Sequence, residues 1–302
     1  MQRRRGLAAL AAVALTVLGV GATATPASAH EAVSHNVRVT LRGDGTSAWL
    51  SNDDVHVGAV RMTFVGGTSA GASATVISLR HGGRLSRFLR DLTVAASQNA
   101  QPTQAAAAIR DIERIAVGYG GADTLPGRSV TDTVVLPHAG IYYIVNVAGN
   151  GKGVSLGRLE ASGSAHHVRV PHARATVTLG DESRDVIEVQ GTLPRSGTIR
   201  VRNDGDMVHL LQITPVAHGV TDAEVQAEYD QLMAGQQPAS DPAGLMREPS
   251  QLVGSDAVSP ELASYLTYHL TAGTYLLQCF VPDIDTGIPH AFMGMHKVVT
   301  IH

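Results

Sequence analysis

The sequence contains a single cysteine, Cys279, among 302 residues. One cysteine cannot form an internal disulfide. If the protein is exported, as the N-terminal pattern described below predicts, this thiol is open to oxidation unless it is buried or bound to a metal. Cys279 is therefore the most informative residue of the chain, and three interpretations stay open: a buried structural thiol, an intermolecular disulfide or a metal ligand.

Aromatic residues and charged residues are also scarce. Aromatic residues make up 4% of the chain, Trp49 is the one tryptophan, and the formal net charge is −3. A basic surface for nucleic acid is not indicated, and neither is a flat aromatic surface for polysaccharide. We therefore expect no nucleic acid among the partners.

Long apolar runs are missing beyond the N-terminus, so no membrane span is expected. The first residues have the pattern of a secretory signal peptide: Arg3 to Arg5, an apolar stretch from Gly6 to Val20, and Ala27-Ser28-Ala29. Ala22-Thr23-Ala24 is an alternative cleavage site. We expect cleavage after Ala29 and a secreted, extracellular protein. Three arginines and no acid would leave, which changes the net charge from −3 to −6.

Short alternating β segments with turn residues between them make up most of the remaining chain. Strands are predicted over 36–41, 58–64, 74–79, 130–136, 140–147, 154–161, 175–179, 185–189, 197–203, 208–214, 264–270, 274–280 and 297–301. Apolar spacing predicts helices over 85–95, 102–119 and 222–234. Thr221 and Glu224 form a capping box for the third helix. This pattern predicts a mainly β protein with two antiparallel β-sandwiches.

The two halves follow one plan, each with a helical insertion at the same point. Ala139 to Asn146 aligns with Ala272 to Cys279, and Leu156-Gly157-Arg158 aligns with Met293-Gly294-Met295. We expect a first domain over 30–161, a small polar linker over 162–172 and a second domain over 173–302. Asn146 and Arg158 stand in the first half where the second has Cys279 and Met295, so the first domain is predicted to lack metal ligands.

A set of soft and borderline ligands is concentrated in the second half. Cys279 ends a predicted strand, His290 lies in the following loop, and Met295 precedes the last strand. His209, at the start of an earlier strand, can supply a second imidazole. Thiolate, imidazole and thioether ligands suit copper better than magnesium or calcium. Met293 is a rival for Met295, and each of these residues has a plain packing role as its alternative.

Residues 173–302 resemble the cupredoxin family of plastocyanin-like and azurin-like proteins. The resemblance is carried by Asn203 with His209, by Ala272 to Cys279, and by His290 to Met295. It implies Greek-key β-sandwiches, of which the first half is a degenerate copy. It also implies one copper ion, cycling between Cu(I) and Cu(II), in a type 1-like (blue copper) site. The family's ligands map onto His209, Cys279, His290 and Met295.

Two positions depart from the family pattern. Ten residues separate Cys279 from His290, which is longer than usual for the family, and Asp283 or Asp285 in that loop could approach the metal. His209 is followed by Leu210, where the family often has an asparagine that ties the two ligand loops together.

The resemblance favours electron transfer with an unidentified redox partner protein. Copper delivery without electron transfer is the first alternative, and a metal-free structural protein is the second. We expect the chain not to be an enzyme. A monooxygenase site would use His30 as the new N-terminus, and a multicopper oxidase would need His-x-His pairs, whereas the one adjacent pair is His166-His167.

Overall fold

The computed structural model describes residues 35–41, 48–67, 72–97, 99–148, 154–164, 168–181, 184–236, 241, 243–245 and 250–302. The predicted signal peptide, its cleavage site and His30 lie outside these residues. Ser34–His302 forms one compact unit. None of the helices in the described ranges is long and apolar enough to cross a bilayer.

Strands and three α-helices alternate along the described chain in two similar series. The first series is β1 His35–Thr40, β2 Trp49–Leu50, β3 Asp54–His56, β4 Gly58–Val65, β5 Ala72–Leu79, α1 Leu85–Ala95, α2 Pro102–Ile115, β6 Ala116–Thr124, β7 Ser129–Leu136, β8 Gly140–Ala148 and β9 Val154–Ser162. The second is β10 Ala175–Asp181, β11 Arg184–Gly191, β12 Ser196–Asn203, β13 His209–Pro215, α3 Asp222–Met233, β14 Val253–Val258, β15 Ala263–His269, β16 Gly273–Gln278, a 3₁₀ helix His290–Met293 and β17 His296–Ile301.

Two sheets enclose one apolar core, to which both contribute buried side chains. The first sheet has the order β11-β10-β12-β15-β7-β4-β1-β2, and the second has the order β17-β16-β13-β14-β6-β5-β8-β9-β3. The predicted fold class, mainly β with two cupredoxin-like sandwiches, is confirmed. Both sheets are mixed, whereas antiparallel sheets were predicted: β1 pairs in parallel with β4 and β10 with β12 in the first sheet, and β3 pairs in parallel with β9 in the second.

The strand order shows the duplication directly. Each half contributes four strands to the first sheet, while the second sheet has four strands of the second half and five of the first, with β3 at its edge. The halves meet where β15 pairs with β7 and β14 pairs with β6. The helical insertions follow equivalent strands, since α1 and α2 come after β5 and α3 comes after β13. Both sheets therefore continue across the two halves, while the domain boundaries at 161 and 173 stay predictions.

The second helix is shorter than the predicted range 102–119. The helix α2 ends at Ile115, and the next residues form the buried strand β6. The equivalent strand β14 was also missed. In β6, a side chain at Gly121 would have its Cβ 1.9 Å from the Ala74 carbonyl oxygen. Glycine is therefore required there, because the backbones of β6 and β5 lie too close for a side chain.

The two halves meet along the β15–β7 and β14–β6 pairs, called the seam below. Buried polar groups as well as apolar contacts join the halves at this seam. Asp132 of β7 is fully buried, and its Oδ2 accepts hydrogen bonds from the Gly121 amide (3.0 Å) and from Ser255 Oγ (3.1 Å). Ser255 Oγ lies 2.6 Å from Ser264 Oγ. Asp132 thereby connects strands of both halves.

Candidate metal centre

Cys279 follows directly after strand β16 and is completely buried. Its Sγ accepts a hydrogen bond from the Leu210 amide at 3.4 Å. An intermolecular disulfide would need an exposed thiol, so this interpretation is excluded for the folded protein. The Leu210 amide also joins the His209 strand to Cys279, and a backbone donor therefore ties the two regions although no asparagine follows His209.

Three of the four predicted ligands come together in the interior. Cys279 Sγ lies 3.8 Å from His209 Nδ1 and 3.6 Å from His290 Nδ1. The candidate ligand atoms of the three residues all lie within 4.8 Å of one another, and each residue has no exposed surface. The imidazole rings are tilted by 58° with centroids 4.9 Å apart. One thiol and two imidazoles thus converge on one point.

The loop ahead of His209 is fixed by a buried asparagine. Asn203 Nδ2 donates to the carbonyl oxygens of Met207 and Val258, both at 2.7 Å, and its Oδ1 accepts from the Gly205 amide at 2.9 Å. Because all of these atoms are buried, losing the carboxamide would leave backbone groups without their partners. Asn203 therefore sets the entry of the chain into β13, where His209 is the first residue.

The backbone at Gly205 and Gly180 packs closely against the Nε2 edge of the His209 ring. A Cβ at Gly205 would lie 2.7 Å from His209 Nε2, and a Cβ at Gly180 would lie 3.0 Å from it. Gly180 also has φ +70°, a conformation that other residues rarely adopt. These two glycines leave space for the Nε2 side of the ring, while its Nδ1 faces Cys279.

The long segment between Cys279 and His290 is a loop that its own hydrogen bonds hold in place. Pro282 and Pro289 form a bridge at its base, and the His290 amide donates to the Val281 carbonyl oxygen at 3.0 Å. The Asp283 carboxylate accepts from the Thr286 amide at 2.6 Å. The extra length therefore forms a closed turn that still returns His290 to Cys279.

Asp283 and Asp285 have structural roles in this turn. Burial tends to raise the pKa of Asp283, but hydrogen bonds from the hydroxyl and amide of Thr286 and from the Asp285 amide outweigh it and lower the pKa. The Asp285 side chain is 83% exposed and lies 3.7 Å from Arg110. Neither carboxylate belongs to the buried cluster of possible ligands.

The two methionines have different surroundings. Met295 is completely buried in the same apolar cluster as Cys279, its amide donates to the His290 carbonyl oxygen at 2.9 Å, and its carbonyl oxygen accepts from the Cys279 amide at 3.3 Å. Met293 is 45% exposed, and its Sδ lies 3.6 Å from Thr286 Oγ1. Burial thus favours Met295 over Met293, and its role as axial ligand stays a prediction.

His296 lies apart from the cluster. Its Nε2 is 3.0 Å from Gln226 Oε1 and its Nδ1 is 3.5 Å from Asp222 Oδ1, so it attaches β17 to the helix α3. Burial lowers the pKa of His296 although Asp222 opposes this shift.

The first half contributes to the site through α2, which the sequence did not indicate. Glu113 Oε1 accepts from the amide of Val208, the residue before His209, at 2.6 Å. At the other end of the helix, a Cβ at Gly287 would lie 1.8 Å from the Pro102 carbonyl oxygen. The helix therefore contacts both segments that carry the histidines.

The chemistry of the cluster fits a soft or borderline metal ion. Burial, with His290 nearby, lowers the pKa of His209 to about 3, so its imidazole is neutral and can donate a lone pair. A thiolate with two imidazoles in a buried site is the donor set of blue copper centres. The fold and the cluster together support a copper centre of the blue copper type.

No protein-family model and no curated protein matches this sequence. Among solved structures, auracyanin A, a "blue" copper protein from Chloroflexus aurantiacus, is 16% identical over 42% of this chain and 85% of its own, with a TM-score of 0.21. The copper-containing nitrite reductase of Thermus scotoductus is 11% identical over 89% of this chain and 61% of its own (TM-score 0.21). The multicopper oxidase McoA of Aquifex aeolicus is 13% identical over 88% and 65% (TM-score 0.25).

At these identities the likeness concerns the fold, and it corrects one expectation. We expected that the chain is not an enzyme. This inference is contradicted, because solved structures that match about nine tenths of the chain are a nitrite reductase and a multicopper oxidase, which are enzymes. The auracyanin match spans less than half of the chain.

Proposed function

We propose that this protein is a copper protein whose type 1-like site takes up and releases single electrons. The proposed ligands are His209, Cys279, His290 and Met295. The observation that carries the proposal is the buried cluster in which Cys279 Sγ lies within 3.8 Å of the Nδ1 atoms of two histidines. One copper ion bound there would supply the Cu(I)/Cu(II) couple, and the electrons would pass to or from a partner protein.

The chain's own part in this function is to hold the ligands still. Asn203 fixes the His209 loop, the Leu210 amide donates to the thiol sulfur, and the loop from Cys279 to His290 is closed by its own hydrogen bonds. Such groups keep the ligands in one geometry in both oxidation states. Burial of all three ligating side chains also excludes water from the site.

Copper delivery without electron transfer is less well supported. That alternative rested on Met293 and His296 as additional ligands. Met293 contacts Thr286 at the surface, and His296 contacts Asp222 and Gln226. The polar contacts of these two side chains are therefore with Thr286, Gln226 and Asp222 and not with the three residues of the buried cluster.

Calorimetric titration of the metal-free protein with copper tests the binding site. We expect one ion per chain, and the Cys279→Ser variant should lose at least about tenfold in affinity because it lacks the thiolate. Protein-film voltammetry of the loaded protein tests the function, and a reversible one-electron wave is expected. Equal affinity of wild type and Cys279→Ser would refute the site, and copper bound with no reversible wave would refute electron transfer.

We further propose that the protein is exported and that residues 1–29 are removed. The signal-peptide pattern at Arg3 to Ala29 motivates this proposal. N-terminal sequencing of protein recovered from the culture medium should give His30 as the first residue. Recovery of the uncleaved chain from the cytoplasm alone would contradict it.

A further inference from the structure

A cavity of about 210 Å³ lies between the helices α1 and α2 and the second sheet. Most of its wall is apolar, and its residues come from both halves of the chain. Phe88, Ile109 and Ile112 line it from the helices, while Val208 and Leu210 line it from the strand region that carries His209. An apolar cavity of about 150 Å³ is sufficient for benzene. The cavity therefore has room for one ring with a short side chain.

The ionisable side chains that line this cavity are all acidic. Two carboxyl groups, Glu113 and Asp256, line it together with the hydroxyl groups of Ser73 and Ser259. None of the described residues in its wall is lysine, arginine or histidine. Because the charged groups in this wall are carboxylates, the cavity disfavours an anion. It favours an apolar molecule that carries one positively charged hydrogen-bond donor.

The carboxyl groups differ in the partners that they already have. Asp256 Oδ2 accepts from the Ser73 hydroxyl, and Asp256 Oδ1 accepts from the Ala257 amide at 2.6 Å. Glu113 Oε1 accepts from the Val208 amide at 2.6 Å. We assign the remaining oxygen of Glu113, Oε2, as the acceptor for a ligand.

We propose that this cavity is a binding site for a small apolar amine, with the ring or alkyl group among the apolar side chains and the ammonium group on Glu113. The cavity borders the cluster of Cys279, His209 and His290 through Val208 and Leu210, but none of the three cluster residues lines it. None of the proposed copper ligands lines the cavity, so amine binding can be tested in the metal-free protein. Amine binding and copper binding can thus fail independently.

The experiment is a calorimetric titration of the metal-free protein with benzylamine, and benzyl alcohol serves as the uncharged ligand of equal shape. We expect one benzylamine per chain, bound at least about tenfold more tightly than the alcohol, because one charge-assisted hydrogen bond contributes about this factor. Glu113→Gln keeps an acceptor for the Val208 amide. It should reduce benzylamine affinity to that of the alcohol.

Two variants with the same chemical change locate the binding. Ala95 lines the cavity, so Ala95→Phe should lower benzylamine affinity at least about tenfold by occupying the space. Ala107 lies on the exposed face of α2, and Ala107→Phe should bind as the wild type does. The proposal is overturned if benzylamine does not bind, if the alcohol binds equally well, or if both alanine variants behave alike. If Ala95→Phe does not fold, the Glu113→Gln result decides.

Discussion

Asp132 should make the stability of this protein decrease as the pH rises from about 4 to about 7. Burial raises the pKa of Asp132 to about 7 from its ordinary value of 3.8, although the Gly121 amide and two serine hydroxyls oppose this shift. Between these values the native state keeps the proton and the unfolded chain releases it. Folding then loses about 1.4 kcal/mol for each pH unit, which amounts to about 4 kcal/mol.

The variant Asp132→Asn isolates this effect because its amide has the shape of the neutral acid and does not titrate. Urea unfolding of both metal-free proteins at several pH values between 4 and 8 gives the free energy of unfolding. The excess stability of the wild type over the variant should fall by about 4 kcal/mol across this range. Asp123, whose pKa is also raised to about 7 by burial and by Asp256, is present in both proteins and largely cancels. A difference that is independent of pH would refute the reasoning.

Two further substitutions test the ligand loop and the second insertion. Gly205→Ala places a Cβ 2.7 Å from His209 Nε2, so copper affinity should fall at least about tenfold by calorimetry. Gly273→Ala, where the nearest side-chain atom is at 3.5 Å, serves as the control, and equal affinities would contradict this role of the glycine. Thr221→Ala removes the acceptor for the Glu224 amide and should destabilise the protein by about 1 kcal/mol in urea unfolding, whereas Glu224→Ala should leave the Thr221 cap in place and cost less.

The sequence was sufficient for the strands whose side chains alternate and for the first and third helices, whose apolar residues recur at helical spacing. The first helix was predicted with its observed bounds, and Thr221 with Glu224 forms the expected capping box. Strands β6 and β14 were missed because glycine, serine and aspartate replace the β-branched residues that mark a strand. Their pairing lies at the seam, where buried polar groups and close backbone contacts determine the structure.

The convergence of His209, Cys279 and His290 could be predicted because ligand chemistry depends on a few residue types in a recognisable order, while their role as metal ligands stays a prediction. His209, Cys279 and His290 were named from the sequence, and the structure brings their ligand atoms together. The contacts made by Glu113 and by Gly205 could not be predicted, since they depend on how distant segments pack. A single glutamate on a helix of the other half carries no sign of its contact with Val208.

The most direct test of a type 1-like centre is visible absorption and electron paramagnetic resonance during titration of the mature protein with Cu(II). A thiolate ligand gives copper an intense charge-transfer band, and the trigonal geometry gives a narrow hyperfine splitting. We predict that both appear at one equivalent of copper and that Cys279→Ser loses the band. A colourless complex with a wide splitting, or no binding of copper, would contradict the proposed centre.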